Sequence, residues 1–578
     1  MTEGTVPSPP PISIADAHAQ LTSTGSPFEI EMVDIDGRPT TVWKNALPSI
    51  RVLLEQSRAH GDAPFIVYED ERTTFAEHYA QAASFAAALV DVFGVKKGDR
   101  VAVAMRNLPE WPVAFFGAAA IGAIVVPLNA WWTGPELEYG LADSGTTLLV
   151  TDGERIDRLA DHLPNLPDLA ATIVVRGDAP DTAVAWGDVV GDPDPTNPPA
   201  LPAVDIGPND DATIFYTSGT TGHPKGALGT QRNFTTNIVS LAFAGARSAM
   251  RNPASGPPSG AGSAPAQRAS LLSVPFFHAT GSHSVLQGAM TSGSKLVLMH
   301  KWNPERALEL IERERITNFG GVPTMVWQVL QSPDFERRDT SSVQGIGYGG
   351  APAPPELVHK IEEMFPGRTP SNGYGLTETS SVTTSNGGAD YLRKPTSSGR
   401  AVPVMEVRVV DDDGNPVPTG EVGEICFRGP NLIRGYWNNP EATAEVIDDD
   451  GWLRSGDLGR LDDEGFIYVE DRAKDMVLRA GENIYCAEVE GAVYEFPGVA
   501  EAAVFGVPHE RLGEEVALTV VPSTGSTIDA DALLAHLRRH LAAFKVPSIV
   551  EIREERLPRN ASGKILKRDL RDAATATT

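Results

Sequence analysis

The string YTSGTTGHPKG at 216–226 has the composition of an anion-holding loop. Gly219 and Gly222 let the backbone fold tightly around a charged group. The hydroxyls of Thr217, Ser218, Thr220 and Thr221 can donate to it, and Lys225 adds a cation. It is not a Walker A loop: that pattern needs Gly-Lys-Ser/Thr, and Lys225 lies between Pro224 and Gly226, which disfavours a P-loop kinase or ATPase. Further along, Tyr374 stands between Gly373 and Gly375, which leaves a ring face on which a nucleobase can stack. A tyrosine in a core turn would look the same. Glu378 follows Thr377; a hard carboxylate oxygen suits Mg2+, and the hydroxyl can hold a phosphate. Without the neighbouring glycines, a surface Thr-Glu pair would be the simpler reading. Asp457, in Ser-Gly-Asp, can accept from ribose hydroxyls or can serve as an aspartate in a glycine turn.

The elements that must position these residues are legible from periodicity. From about 48 to 210, helix-like and strand-like segments alternate, among them FIVYED, RVAVAM, TLLVTD and TIVVRG. The strand-like ATIFY precedes the loop and the helix-like TTNIVSLAF follows it. The pattern resumes with LLSVPFF, KLVLMH, a helix at 304–315 and ITNFGGVP. Such alternation predicts an α/β fold with a largely parallel sheet. The stretch 111–135 has no Asp, Glu, Lys or Arg and is long enough to span a bilayer. Pro112, Gly122 and Pro127 interrupt it, so it reads as a buried helix followed by a buried parallel strand. Residues 1–45 show no sustained periodicity and read as an N-terminal extension, disordered over the first dozen. The Gly/Pro/Ser/Ala-rich segment 251–267 reads as an exposed, flexible insertion. The acidic runs at 411–413 and 448–450 read as turn tips. After 475 the chain reads as a compact α+β unit, with Leu533, Leu534, Leu537 and Leu541 on one helix face.

At 578 residues the chain has room for about four domain-sized units, taking roughly 150 residues for each. Its 41% hydrophobic and 21% charged content suits a globular protein with a large core. A net charge of −28 disfavours a general nucleic-acid binder, which needs a cationic face. Between 538 and 571, however, ten basic residues face four acidic ones, a local patch suited to a small polyanion or simply a charged tail. Cys426 and Cys486 are the two cysteines, so no disulfide framework is expected and a cytoplasmic setting fits. The first basic residue is Arg38, so no basic leader segment is expected.

The loop at 216–226 resembles the AMP-binding signature of the adenylate-forming superfamily: acyl-CoA synthetases, carrier-protein adenylation domains and beetle luciferases. Seven further strings match in the family's order: PFFHATG at 275–281, YGGAP at 348–352, NGYGLTET at 372–379, GWLRSGDLG at 451–459, DRAKDMV at 471–477, AGENIYCAEVE at 480–490 and PRNASGKILKRDL at 558–570. The resemblance covers about 50 to 570 and implies a large domain of layered α/β subdomains (46–473), with mostly parallel sheets and a smaller β subdomain, and a small mobile α+β domain (474–578). It implies ATP, Mg2+ and CoA as cofactors and a two-step reaction, in which a carboxylic acid becomes acyl-AMP and then a CoA thioester. Thr217, Ser218, Gly219, Thr220, Thr221, Gly222 and Lys225 would hold the phosphates. Gly350 and Ala351 would lie under the adenine and acyl group. Asn372, Gly373, Tyr374 and Gly375 would hold the adenine, and Thr377 and Glu378 the α-phosphate and Mg2+. Asp457 and Arg472 would hold the ribose or a phosphate. Lys564 would be the catalytic lysine, acting with Thr217 and Glu378. Lys474 matches the hinge, and a turn there would bring the 480–483 loop, with Gly481 and Glu482, to line the pantetheine channel. His278 either gates the channel between acyl and CoA sites or is a buried, hydrogen-bonded histidine.

The acyl pocket so implied, 276–284, 319–327 and 346–352, contains no charged residue, which favours an acid with a neutral apolar tail. Gly320, Gly321, Gly347, Gly349 and Gly350 are expected to leave room, with Phe277, Met325 and Trp327 as walls or ordinary core. This points to a medium- or long-chain fatty acid, with an aryl or polycyclic acid open. Phe544 and Lys545 resemble a stretch that contacts CoA's nucleotide, but Leu512 stands where some relatives carry Trp. An acyl-AMP ligase serving a carrier protein is the second reading, a luciferase is remote, and a degenerate nucleotide- or acyl-binding module is the non-enzyme reading. No transmembrane segment is expected; peripheral membrane contact and a homodimer stay open.

Overall fold

The computed structural model describes residues 11–217, 223–252, 267–351, 353–368, 370–479, 482–509, 511–523, 525–560 and 563–577. Among these residues the strands form five sheets. In the eight-stranded sheet, Asp211–Tyr216, Ile124–Pro127, Arg100–Ala104, Leu148–Asp152, Ala171–Val175 and Val184–Ala185 run parallel; Gly226–Thr230 and Gly435–Tyr436 add an antiparallel edge. In the nine-stranded sheet, Pro370–Tyr374, Gly345–Gly349, Asn318–Gly321, Ala269–Leu272, Lys295–Leu298 and Pro64–Tyr68 form a parallel centre with antiparallel edges.

One core joins the two sheets. Val101, Val103 and Val125 of the first and Leu272, Leu296 and Leu298 of the second share it with Phe75, Phe85, Trp111 and Phe115 from the helices Phe75–Asp91 and Glu110–Ala120. The uncharged stretch is here: its helix is apolar on every side because protein surrounds it, and the strand Ile124–Pro127 follows. Trp111 stacks on Phe115 at 5.1 Å and on Phe276 at 4.8 Å. A Cβ on Gly117 would stand 2.8 Å from Phe85 Cδ1 and 2.9 Å from the Ala82 carbonyl oxygen, so this glycine sets the helix spacing. Among the described residues no helix is long and apolar enough to cross a membrane.

One expectation can be completed and one needs correction. Within the 1–45 extension, residues 1–10 lie outside the described residues, but the rest is folded: a helix Ile14–Leu21 and a hairpin of Ile30–Ile35 with Arg38–Trp43. Trp43 is buried and donates to Ser240 Oγ at 3.0 Å. The segment is too short to show a period of its own and gains its order from the helix Gln231–Arg251 beneath it. Both ends of the expected insertion 251–267 are folded. Arg251 ends that helix and its buried guanidinium makes two 2.6 Å bonds to Asp390, while Gln267 donates to the Pro64 and Gly293 carbonyls at 2.6 and 2.9 Å. Residues 253–266 lie outside the described residues.

A four-stranded antiparallel sheet of Glu406–Val410, Gly423–Arg428, Leu453–Leu461 and Ile467–Arg472 follows. Only residues 473–476 separate it from the last sheet, in which Glu482–Ile484, Val477–Arg479, Gly513–Pro522, Val499–His509 and Ile549–Ile552 are joined. The helices Cys486–Tyr494 and Ala530–His540 bury Val489, Val493, Leu533 and Leu537 against this sheet. Both cysteines are free and buried.

Candidate functional site

The phosphate-loop candidate connects two antiparallel strands, Asp211–Tyr216 and Gly226–Thr230. Tyr216 and Gly226 are paired, and Thr217 N donates to the Lys225 carbonyl at 2.9 Å. Ser218, Gly219, Thr220, Thr221 and Gly222 lie outside the described residues. The following helix starts at Gln231, after the strand Gly226–Thr230, so the loop leads into a sheet edge and not directly into a helix N-terminus. That edge places the next residue of the site. Gly435–Tyr436 pairs with Gly226–Thr230, Lys225 Nζ lies 5.1 Å from the Tyr436 ring centroid, and Tyr436 OH donates to Glu378 Oε1 at 2.8 Å. Tyr436 therefore links the loop lysine to the candidate metal carboxylate. Sequence reasoning passed over it; an aromatic pair after Arg434–Gly435 was the only signal.

Thr377, Glu378 and Thr379 form one 3-10 turn at the end of the strand Pro370–Tyr374. The chain then passes through Ser380 at φ 50° and Ser381 at φ 90°, left-handed values uncommon outside glycine. Asn431 Nδ2 holds the Thr379 carbonyl at 2.9 Å, Asn237 Oδ1 accepts from Val382 N at 3.1 Å, and Ser381 Oγ meets Ser284 Oγ at 2.7 Å. These bonds pin the turn that aims Glu378 at a cavity of about 200 Å3 shared with Tyr436, Arg454 and Ser455. A larger cavity, about 700 Å3, lies around Ala15, Arg400 and Glu464 and contains none of the candidate residues.

Tyr374, expected to offer a ring face, is half-buried. Its hydroxyl donates to Asp457 Oδ2 at 2.6 Å, its ring packs 5.8 Å from that of Phe427, and burial beside that carboxylate raises its pKa. Asp457 is buried, with Arg472 Nε 3.2 Å from its Oδ1, because the two are register partners on adjacent strands. Tyr374 thus already donates to one Asp457 oxygen and the Arg472 cation sits beside the other, and a ribose would share the lone pairs left. Gly375 serves backbone approach: a Cβ there would stand 1.5 Å from the Ser381 carbonyl oxygen.

The pocket glycines divide in the same way. A Cβ on Gly320 would fall 1.6 Å from the Gly347 carbonyl oxygen, and one on Gly349 would fall 2.3 Å from that of Gly373. These two let neighbouring strands close up and provide no room for a substrate. Gly350, at φ 75°, has open space beside it, next to Ala351; Asn372 and Gly373 pair with Tyr348 and Gly349. Phe277 packs on Ala130, Met325 belongs to the main core, and Trp327 is half-buried. His278 is neither a partnered core histidine nor charged. The residue is half-buried, its Nε2 is shielded and finds no hydrogen-bond partner, and burial lowers its pKa to about 4. It precedes a π-helical segment, Thr280–Leu286, a helix form often found at functional sites.

Lys564 faces the large domain. A Cβ on Gly563 would stand 3.0 Å from Val322 Cγ2 and 3.4 Å from Met325 Cε, so the lysine loop rests on the expected acyl-pocket wall. Burial, then the nearby Arg472, lowers the Lys564 pKa to about 8, against the opposing pull of Asp457 and Asp475. The loop is braced by its own bonds: Asn560 Oδ1 accepts from Lys564 N at 2.9 Å and Arg559 Nη1 donates to the Gly563 carbonyl at 2.7 Å. Lys474 is exposed in the 473–476 turn, where Ala473 N donates to the Gly456 carbonyl at 3.0 Å. Glu482 is exposed on the hairpin of Val477–Arg479 with Glu482–Ile484, and Gly481 lies outside the described residues. Lys545 is held by Glu488 at 2.6–2.7 Å. A further group was missed: Asp471, just before the turn, accepts from Cys486 N at the start of the helix Cys486–Tyr494, and burial raises its carboxyl pKa to about 6.

Two layered α/β sheets, a small antiparallel sheet and a short turn into a second domain that returns a lysine to the site define an adenylate-forming architecture. Residues 53–437 match the family described as AMP-binding enzyme, and 488–564 match its C-terminal domain. The chain belongs to this family of AMP-forming ligases. It is 39% identical over 478 residues to a feruloyl-CoA synthase of Amycolatopsis sp, covering 83% of this chain and 89% of that one. It is 35% identical over 516 residues to a long-chain-fatty-acid–CoA ligase of Mycobacterium tuberculosis, covering 88% and 94%. The crystal structure of an anthranilate CoA ligase in complex with anthranoyl-AMP superposes with a TM-score of 0.82 at 25% identity, covering 92% of this chain and 98% of that one.

Proposed function

We propose that the protein joins a carboxylic acid with a neutral, apolar tail to CoA in two steps. The carboxylate oxygen attacks the α-phosphorus of ATP and pyrophosphate leaves, giving acyl-AMP; the CoA thiol then attacks the acyl carbonyl and AMP leaves. The observation that carries this reading is the position of Lys564: its neighbour Gly563 approaches Val322 and Met325, and its charge feels Arg472 and Asp457, where the acyl and nucleotide sites would meet. As a cation there it stabilises the charge developing on the α-phosphoryl oxygens. Thr217 and Lys225 face the phosphates, Tyr374 and Asp457 the nucleoside. Glu378, steadied by Tyr436 and beside Glu445 and Glu424 in the small cavity, would hold Mg2+. The ion would neutralise phosphate charge.

The uncharged pocket strands support a medium- or long-chain aliphatic tail. A second reading, an aryl acid, draws support from Gly320 and Gly349: strand backbone fills their open sides, so the pocket is shorter than its glycine content suggests. Turning at 473–476 would withdraw Lys564 and deliver the loop that carries Glu482. Mass spectrometry tests both substrate readings at once. The protein is given ATP, Mg2+, CoA, aliphatic acids of graded length and several aryl acids. Acyl-CoA is expected, and its distribution ranks the two tails. Acyl-AMP without thioester would move the acceptor to a carrier protein, and ATP binding with no pyrophosphate release from any acid would refute the ligase reading.

A further inference from the structure

Two imidazoles and a carboxylate converge where two helices of the C-terminal domain meet. His536 and His540 are four residues apart on the helix Ala530–His540 and so share a face, and Glu495 follows the last residue of the helix Cys486–Tyr494. One ring nitrogen from each histidine and one Glu495 oxygen lie within 4.8 Å of one another. The two imidazole centroids are 4.3 Å apart, and His540 Nδ1 is 3.6 Å from Glu495 Oε2. His536 is buried, and its Nε2 is 3.0 Å from the Ala492 carbonyl oxygen. A carbonyl oxygen only accepts, so Nε2 carries the proton and Nδ1 keeps its lone pair. Metal-ligating histidines are oriented in this way, with the second nitrogen held by a carbonyl or carboxylate. None of the three side chains has a role in the reaction proposed above.

We propose that Glu495, His536 and His540 form a binding site for a borderline divalent cation of the Zn2+ class, tying the end of the helix Cys486–Tyr494 to the last turn of the helix Ala530–His540. Two nitrogens and one oxygen suit such an ion better than Mg2+ or Ca2+, which favour oxygen alone. Three protein ligands leave the fourth tetrahedral position to water. Ligand atoms at about 2.0–2.1 Å from Zn2+ stand about 3.4 Å apart, so no pair in the cluster need close by more than roughly 1.4 Å. Glu495 and His540 are exposed and can rotate by that amount, while the buried His536 stays as the fixed ligand.

The test uses the full-length protein, stripped with a chelator and titrated with Co2+ and with Zn2+. One equivalent of Co2+ is expected to give the visible absorption of a nitrogen-ligated ion, and Zn2+ to displace it. His540→Ala and Glu495→Gln, both exposed and outside the catalytic machinery, should each weaken Zn2+ binding about tenfold or more while leaving Mg2+-dependent adenylation unchanged. Zn2+ should raise the thermal midpoint of the wild type and not of His540→Ala. Equal Zn2+ affinity and equal thermal shift in the wild type and both variants would overturn the proposal.

Discussion

Lys564 should make the adenylation step lose efficiency above neutral pH. Its ammonium lies where burial and the nearby Arg472 disfavour charge, which brings its pKa from the ordinary lysine range to about 8. The positive form assists the reaction, so activity should be present below this pKa and lost as pH rises through it. With a pKa of about 8, roughly ten elevenths of the molecules carry the charge at pH 7 and roughly one eleventh at pH 9. The kcat/KM for ATP, which reports groups of the free enzyme, should therefore fall about tenfold over those two units. ATP–pyrophosphate exchange isolates the half-reaction. Lys564→Arg supplies the comparison, since a guanidinium stays charged throughout and whatever activity the variant retains should be flat from pH 7 to 9. A flat wild-type profile, or the same decline in the arginine variant, would show that another group sets the pH dependence.

Lys474→Pro fixes φ in the four-residue turn between the last two sheets, so thioester formation from supplied acyl-AMP should fall more than pyrophosphate exchange; equal losses would remove the hinge from 474. Tyr436→Phe deletes the donor to Glu378, and the Mg2+ needed for half-maximal exchange should rise roughly fivefold, matching about 1 kcal/mol; an unchanged Mg2+ titration would show that Glu378 does not need the bond. Arg251→Met strands the Asp390 carboxylate, leaving it a 3.2 Å bond from Arg393, so denaturant unfolding should show a loss of about 3 kcal/mol, at the low end for a broken buried pair. A loss under about 1 kcal/mol would mean that Arg393 fully replaces it.

The parallel α/β core was legible because its signals are local. The alternation around 100–175, the helix and strand of the uncharged stretch 111–135 and the α+β pattern after 475 each state their own period, and the structure places strands and helices there. The N-terminal helix and hairpin were not legible, because their order comes from contacts such as Trp43 with Ser240, far apart in the chain. The same holds for the end of the insertion: Arg251 reads as the start of a flexible run, and only the fold brings Asp390 to it.

By itself the sequence determined which residues could do the chemistry: a hydroxyl-rich glycine loop, Glu378, Asp457 and a lysine in a basic segment all announce themselves by side-chain type and spacing. It also determined the fold class, since hydrophobic periodicity is set by neighbours along the chain. Tertiary structure alone decided which of these groups are open and which are engaged. Tyr374 reaches Asp457 from a different sheet, and Tyr436 reaches Glu378 in the turn of another, across 83 and 58 residues. The glycines that looked like pocket space at 320 and 349 prove to be filled by the carbonyls of neighbouring strands. A glycine in a sequence reports that no side chain is present; what occupies the vacated space depends on which strand lies alongside, and that is fixed only when the sheet is assembled.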